Sequence, residues 1–357
     1  MDIQTLRQIK NQFLSVLHQA AVGEQTSLPF IKHHFTKAPL VTSGDTFQAL
    51  VIGGSICQTA TMKKVGHEVQ IIEHSQEQQP SFPTKTDFML FLAAHIRPEV
   101  EVVTLNFAYP LTPIVRSGML DGTLQSGTKE NSFDGLVGMQ VGAEIETHMK
   151  RVHGRTIRVA VANDIICLLL SGLTYHTWDT IAAGIVGTGL NFALFLDADT
   201  FVNLESANFT DFPQSEEGKA IDRRSVLAGA SLYEKEVSGA YLYKHFNLLI
   251  QKRNIPFHEI DSSEQLNALV HHEIKKVAAL AQEVLDHSAS LVAAQIAGIL
   301  EFTKRDLHFI MQGSLYWKGN GYRERVTDLV AELAPDYHAS YEQVVYSEVI
   351  GAAQLVA

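Results

Sequence analysis

Two stretches of this chain carry the residue types from which a phosphoryl-transfer site can be built. Val161-Ala-Asn-Asp164 sets a carboxylate at the end of an apolar run. Further on, Gly184-Ile-Val-Gly-Thr-Gly-Leu-Asn191 sets a glycine turn between two apolar runs. Such chemistry needs a base to take the proton of an attacking hydroxyl, and backbone N–H groups to hold phosphate oxygens. Neither stretch decides the matter by itself. An Asn-Asp pair after a strand commonly caps a helix, and a lone Gly-x-Gly commonly only turns a hairpin.

The elements that must position these residues follow from apolar periodicity. Ile3, Leu6, Ile9, Phe13, Val16 and Leu17 recur at helical spacing, which predicts a helix over 3–21. A polar connection leads to strand, glycine turn and strand over 47–62, then a third strand at 67–73. A helix over 88–96 and a strand over 101–107 follow. Glycines 118, 122, 127, 135 and 138 make 110–138 read as loop. A strand at 156–162 then runs into a helix at 164–171. The pattern restarts with a strand at 180–186, the turn at 187–189, and strands at 191–196 and 201–204. The remainder reads as mainly helical: 231–252, a packed helix pair over 268–302, a strand at 307–311, a turn at 312–314, a helix at 322–333 and a C-terminal helix after 345. Two glycine hairpins thus open two similar blocks. Two such halves facing one another across a cleft can hold one nucleotide from both sides and expel water on closing.

Composition removes several classes of function. A chain of 357 residues with 46% hydrophobic content holds about two domains. A net charge of −11 without a long basic run argues against a nucleic-acid or anionic-membrane surface. Cys57 and Cys167 are the two cysteines, too few for a disulfide framework, and their apolar surroundings predict buried free thiols of the kind found in the reducing cytosol. Met1-Asp-Ile-Gln shows no signal-peptide pattern, and the longest apolar run, 291–300, is too short to span a bilayer. His33-His34 and His271-His272 have poor spacing for metal ligation on one face, so no resident metal site is assigned. No GxxxxGK[ST] phosphate loop occurs.

Taken in chain order, these residues resemble the hexokinase family. Ala49-Leu-Val-Ile-Gly-Gly-Ser55 is similar to its first phosphate loop, Val161-Ala-Asn-Asp-Ile165 to its catalytic-base segment, and Gly184–Asn191 to its second phosphate loop. Val202-Asn-Leu-Glu-Ser206 and the segment 232–242 resemble two sugar-site segments, and Met311-Gln-Gly-Ser-Leu-Tyr316 the adenosine-site turn. The likeness is densest over 157–245 and returns at 307–318.

The resemblance implies an α/β, two-domain actin-like ATPase (ribonuclease H-like) fold with an interdomain cleft. Residues 46–162 with the C-terminal helix 345–357 would form the small domain; 1–45 and 163–344 would form the large one. It further implies ATP-dependent phosphorylation of a glucose-like hexose at its 6-hydroxyl, with ATP and Mg2+ as cofactors, in the cytoplasm. No nucleic acid or membrane partner is implied, and the state of association, homo-oligomer included, stays open. Asp164 is implied as the base that accepts the hydroxyl proton. Asn163, Asp164, Asn191, Glu205 and Glu234 match the sugar-binding positions, where amides and carboxylates can pair with several hydroxyls. Thr128 and Lys129 match a Thr-Lys pair by type, with Lys129 lending positive charge near the phosphoryl group. Alignment from the downstream glycine would favour Thr123-Leu124 instead. Gly53, Gly54 and Ser55, then Gly187, Thr188 and Gly189, match the phosphate loops, and Gly239, Gly313 and Ser314 the adenosine site. The chain departs from the family at Val51, where an aspartate organising Mg2+ is expected, at Ile56, Gln58 and Gln312, and at Ala108, where a serine is expected. These losses motivate a rival expectation, a sugar-binding or regulatory protein that no longer transfers phosphate.

Overall fold

The computed structural model describes residues 1–34, 39–128 and 130–357. In chain order its elements are α1 (Ile3–Ala21), β1 (Ile31–His34), β2 (Thr46–Ile52), β3 (Ile56–Val65), β4 (Glu68–Gln78), α2 (Lys85–His95), β5 (Val102–Phe107), β6 (Leu111–Arg116), β7 (Met119–Leu124), α3 (Val141–His153), β8 (Arg158–Ala162), α4 (Asp164–Ser171), β9 (Ile181–Val186), β10 (Leu190–Phe195) and β11 (Thr200–Asn203). The second part adds α5 (Glu216–Arg224), α6 (Leu232–Val237), α7 (Gly239–Lys252), α8 (Ser263–Leu269), α9 (Lys275–Thr303), β12 (Leu307–Gln312), α10 (Ser314–Lys318), α11 (Tyr322–Leu333), β13 (Ala339–Glu342) and α12 (Ser347–Ala353).

Two sheets repeat one topology. One has the order β4-β3-β2-β5-β8; the other has β11-β10-β9-β12-β13, extended at its edge by β1. In the first, β2 pairs antiparallel with β3 and parallel with β5, which pairs parallel with β8. In the second, β10–β11 is antiparallel and β12–β13 parallel. The duplicated blocks expected from the two glycine hairpins are therefore present as duplicated strand orders.

The chain divides into two compact units. One comprises Met1–Phe30, Gly184–Phe192 and Leu204–Glu342; the other Ile31–Ala183, Ala193–Asn203 and Gln343–Ala357. The first is organised on α9. Its stretch from Leu291 to Leu300 is buried on every face, as befits a helix inside a core rather than on a surface. Gly298 lets α1 approach, since a Cβ there would lie 2.8 Å from the Phe13 ring. The second unit buries an aromatic cluster of Phe82, Phe88, Phe107 and Phe133 under its sheet. Helix α12 lies on α4 so closely that a Cβ at Gly351 would meet the Cys167 carbonyl oxygen at 1.7 Å.

Several expectations need correction. The region 110–138 is not all loop. β6 and β7 form a hairpin through Ser117 and Gly118, both at positive φ (50° and 75°), the backbone of a tight two-residue turn. Helix α3 was not foreseen because its N-cap, Gln140, makes no side-chain cap. Instead the buried Asp121 carboxylate of β7 accepts from the Gly142 and Ala143 N–H groups at 2.8 and 3.1 Å. The expected helix over 231–252 is broken at Ser238 (φ −80°, ψ 153°) into α6 and α7. The expected helix pair over 268–302 is one long helix, α9, preceded by the short α8. Both cysteines are buried free thiols, as expected.

Candidate active site

In the first unit, the site is built around the turn between β9 and β10. The Gly187 N–H donates to the Gly189 carbonyl at 3.0 Å, closing the turn. Gly239 N–H donates to the Gly187 carbonyl at 2.7 Å. This bond explains the break at Ser238: the Gly239 amide turns to the glycine turn instead of continuing α6, and a fresh helix N-terminus starts there. Gly313, at φ +117°, seals the other side, where a Cβ would lie 2.2 Å from the Val186 carbonyl oxygen. Gly187, Gly239 and Gly313 thus meet backbone to backbone, each from a different element.

A cavity of about 420 Å3 opens on this junction, lined by Gly187, Thr188, Gly239, Tyr243, Ser314 and Lys318 among others. Its walls combine the start of α7, the ammonium of Lys318 and an aromatic face. Ser238 offers no side-chain cap to α7; the Gly239 N–H is taken by the Gly187 carbonyl and the Tyr241 N–H by the Ser238 carbonyl at 2.9 Å. The arrangement suits a phosphorylated nucleoside. Thr188 and Gly189 lie in the turn, whereas Ser314, expected in a turn, is the first residue of the helix α10.

Two of the residues expected to bind sugar, Glu234 and Asn191, lie at this turn, and Glu205 neighbours Glu234. Leu190 N–H donates to Glu234 Oε2 at 3.1 Å. A Cβ at Gly189 would stand 3.1 Å from that oxygen, so the glycine leaves room for the carboxylate. Asn191 Oδ1 accepts from the Phe192 and Ser206 N–H groups at 2.8 and 3.3 Å, which fixes its amide plane and ties it to the residue after Glu205. Glu205 itself adopts a left-handed backbone (φ 50°), uncommon for a glutamate and a strain that neighbouring structure must hold. Burial holds the Glu234 carboxyl above the ordinary carboxylate range; the Leu190 N–H opposes this and the Glu205 charge adds to it. Glu205, Glu234 and Asn191 therefore form one polar group beside the phosphate turn.

The second unit carries the candidate base. Asn163 ends β8 and caps α4, its Oδ1 accepting from Ile166 N–H at 3.3 Å. Of the Asn-Asp pair, the cap is thus Asn163 and not Asp164. Asp164 is the first helical residue, half-buried, and its Oδ1 accepts from Ile165 N–H at 2.8 Å. Burial pushes its carboxyl above the ordinary range, with the Ile165 N–H pulling the other way. A carboxylate so poised is a better proton acceptor than a solvated one.

The first glycine turn lies between β2 and β3. The Gly53 carbonyl accepts from Gln79 Nε2 at 2.7 Å and from the Tyr109 hydroxyl at 3.3 Å. Gly53 N–H donates to the Ile56 carbonyl at 3.2 Å, while Gly54 and Ser55 are exposed. Val51 is 5% exposed and packs in the core. The turn offers hydroxyl and amide groups but no carboxylate. Mg2+ keeps most of its waters and needs few protein carboxylates, so this donor set fits a cation that arrives on nucleotide phosphates rather than a resident one. Thr128 is exposed, its N–H donating to the Asn131 carbonyl at 2.9 Å. Lys129 lies outside the described residues.

Sequence reading missed one set of polar residues beneath this site. Lys235 and Glu236 of α6 are buried, at 2% and 1% exposure, and are paired to Asp222 and to Ser215 and His287. Their partners lie on distant stretches, so no local pattern signals them.

A family model described as Hexokinase matches residues 252–357. The chain is 28% identical over 272 residues to Hexokinase-1 of Spinacia oleracea, covering 66% of this chain and 54% of that protein. It thus spans about half the length of such plant relatives. Hexokinase of Schistosoma mansoni is 25% identical over 388 residues, covering 89% of this chain and 84% of that protein. Among solved structures, the Schistosoma mansoni hexokinase complexed with glucose superposes with a TM-score of 0.77 at 21% identity, over 100% of this chain and 95% of that one. The fold is the mixed α/β, actin-like ATPase fold. The family model, the relatives and the solved structure are all hexokinases, and this chain is similar to each of them.

Proposed function

We propose that this protein transfers the γ-phosphoryl group of ATP to the 6-hydroxyl of a glucose-like hexose. The observation that carries this reading is that one turn serves two purposes. Its Gly187 and Thr188 line the cavity suited to a nucleotide, and the next residues grip Glu234 through the Leu190 N–H. One acceptor-binding carboxylate and the phosphate-binding backbone are thereby tied to a single stretch, residues 187–190.

Each residue then has a role. Glu234, Glu205, Asn191 and Asn163 pair with sugar hydroxyls, and a site with unmet polar groups rejects analogues that lack those hydroxyls. Asp164 takes the proton of the attacking hydroxyl. Gly187, Thr188 and Gly189, with Gly53, Gly54 and Ser55, offer N–H and hydroxyl groups to phosphate oxygens; Gly239, Gly313 and Ser314 flank the adenosine. Thr128 and Lys129 complete the set, Lys129 offsetting negative charge on the phosphoryl group. Mg2+ enters as part of the MgATP substrate. For domains, we keep 46–162 with 345–357 as the smaller and 1–45 with 163–344 as the larger. A cytoplasmic location agrees with two buried free thiols; among the described residues no helix is long and apolar enough to cross a membrane. Measuring hexose-dependent ADP release with MgATP tests the reading. Turnover with glucose or a close analogue is expected, and hexose binding without turnover would replace it with the regulatory alternative.

A further inference from the structure

Helix α6 is held from every side but one. Tyr233 donates its hydroxyl to the Leu291 carbonyl at 2.7 Å. The Lys235 ammonium reaches Asp222 Oδ1 at 2.6 Å and the Leu227 carbonyl at 2.8 Å. The Val237 carbonyl accepts from Ser288 Oγ at 2.7 Å. Glu236, 1% exposed, accepts from Ser215 N–H at 2.8 Å, from Ser215 Oγ at 2.9 Å and from His287 Nε2 at 3.1 Å. Gly218 leaves the space this carboxylate fills, since a Cβ there would lie 1.9 Å from Glu236 Oε1. Glu234, on the same helix, points to the glycine turn and accepts from the Leu190 N–H.

From this geometry we propose that Glu236 is a positioning residue for hexose binding: gripped by Ser215 and His287, its carboxylate fixes the rotation of α6 that presents Glu234 to the sugar. The inference rests on the sugar-binding role proposed for Glu234. Two residues apart on a helix, the side chains point to different faces, so one carboxylate anchors while the other works. A buried ionised group held by several donors is hard to displace, and losing it leaves those donors unmet. Glu236 also lines a separate cavity of about 580 Å3, together with Ser215, His245 and His287. Truncation at 236 therefore opens a carboxylate-sized hole onto a space that a small solute can enter.

That cavity makes the test a rescue experiment. Hexose affinity by calorimetry, kinetics and melting temperature are measured for wild type, Glu236→Ala and Glu236→Gln, with sodium acetate or with sodium chloride at matched ionic strength. For Glu236→Ala the hexose Kd and KM are expected to rise by between about tenfold and about a hundredfold, with the KM for MgATP within about twofold, as misplacement of one binding group does. Acetate, but not chloride, lowers the hexose KM of Glu236→Ala, and Glu236→Gln falls between the two. In a Glu234→Gln background, removing Glu236 adds little further loss, the signature of two residues acting as one. Folded variants with hexose Kd within about twofold of wild type overturn the positioning role alone. If Glu236→Ala shows no melting transition, Glu236→Gln decides by the same criterion. A wild-type protein that binds no hexose overturns the reading of Glu234 and this inference with it.

Discussion

The two glycine turns share a place in duplicated sheets yet differ in what surrounds them. At the second turn, three glycines from three elements abut, an adjacent N–H grips Glu234, and a cavity opens alongside. At the first, the protein's own side chains meet the backbone: Gln79 and Tyr109 satisfy the Gly53 carbonyl, and Val51 packs in the core. The same backbone device is thus fully equipped in one place and reduced in the other. The unit holding the second turn also carries Glu205, Glu234 and Asn191, and the unit holding the first carries Asp164.

The comparison can be broken by substitution, and the largest effect belongs to the base. Asp164→Ala should lower kcat by about a thousandfold or more, as loss of a positioned general base does, while calorimetry finds the hexose still bound. Next come the turns themselves. Gly313→Ala should destabilise the fold by about 3 kcal/mol or more, because the left-handed backbone and the Val186 carbonyl both oppose a Cβ. Gly54→Ala, with open space around it, should cost under about 0.5 kcal/mol. Paired thermal melts check the contrast; equal losses would erase it. Glu234→Gln should raise the hexose KM by between about tenfold and about a hundredfold with little change for MgATP.

Smaller effects sharpen the account. Asp164 has a folded-state pKa above its unfolded value. Between those values the folded state binds more protons, so stability rises as pH falls through the window and is lower above it. Activity runs the other way, needing the ionised form, and should fall on the acid side at a pH above the ordinary carboxylate range. Asp164→Asn should therefore raise Tm by a few degrees at neutral pH while abolishing turnover; a lower Tm would show that the charge is better tolerated than its burial indicates. Val51→Asp should change kcat by less than about threefold and lower Tm, because it buries a carboxylate; a large rate gain would show that the first turn lacks only its acid.

Much of this was legible in the sequence where signals are local. The strands around both turns, α1 and α4 follow from apolar spacing, and Gly187–Gly189 stands out because apolar runs flank it. What failed was set at long range. Helix α3 is capped by Asp121 from a strand rather than by its own first residue. The β6–β7 hairpin hides behind Ser117-Gly118, which read as loop. The break at Ser238 arises from a bond between Gly239 and Gly187, and no propensity in 231–252 announces it. Ser215 and His287 reach Glu236 only once α5, α6 and α9 pack. The site's residue types were visible, but the bonds that aim them were not.

The most direct measurement is product analysis of wild type and Asp164→Ala incubated with glucose and MgATP, with the phosphorylated position assigned by NMR. ADP and hexose 6-phosphate are expected in equal amounts from wild type and essentially none from the variant. Glucose bound but never phosphorylated by wild type, or turnover undiminished in Asp164→Ala, would contradict it.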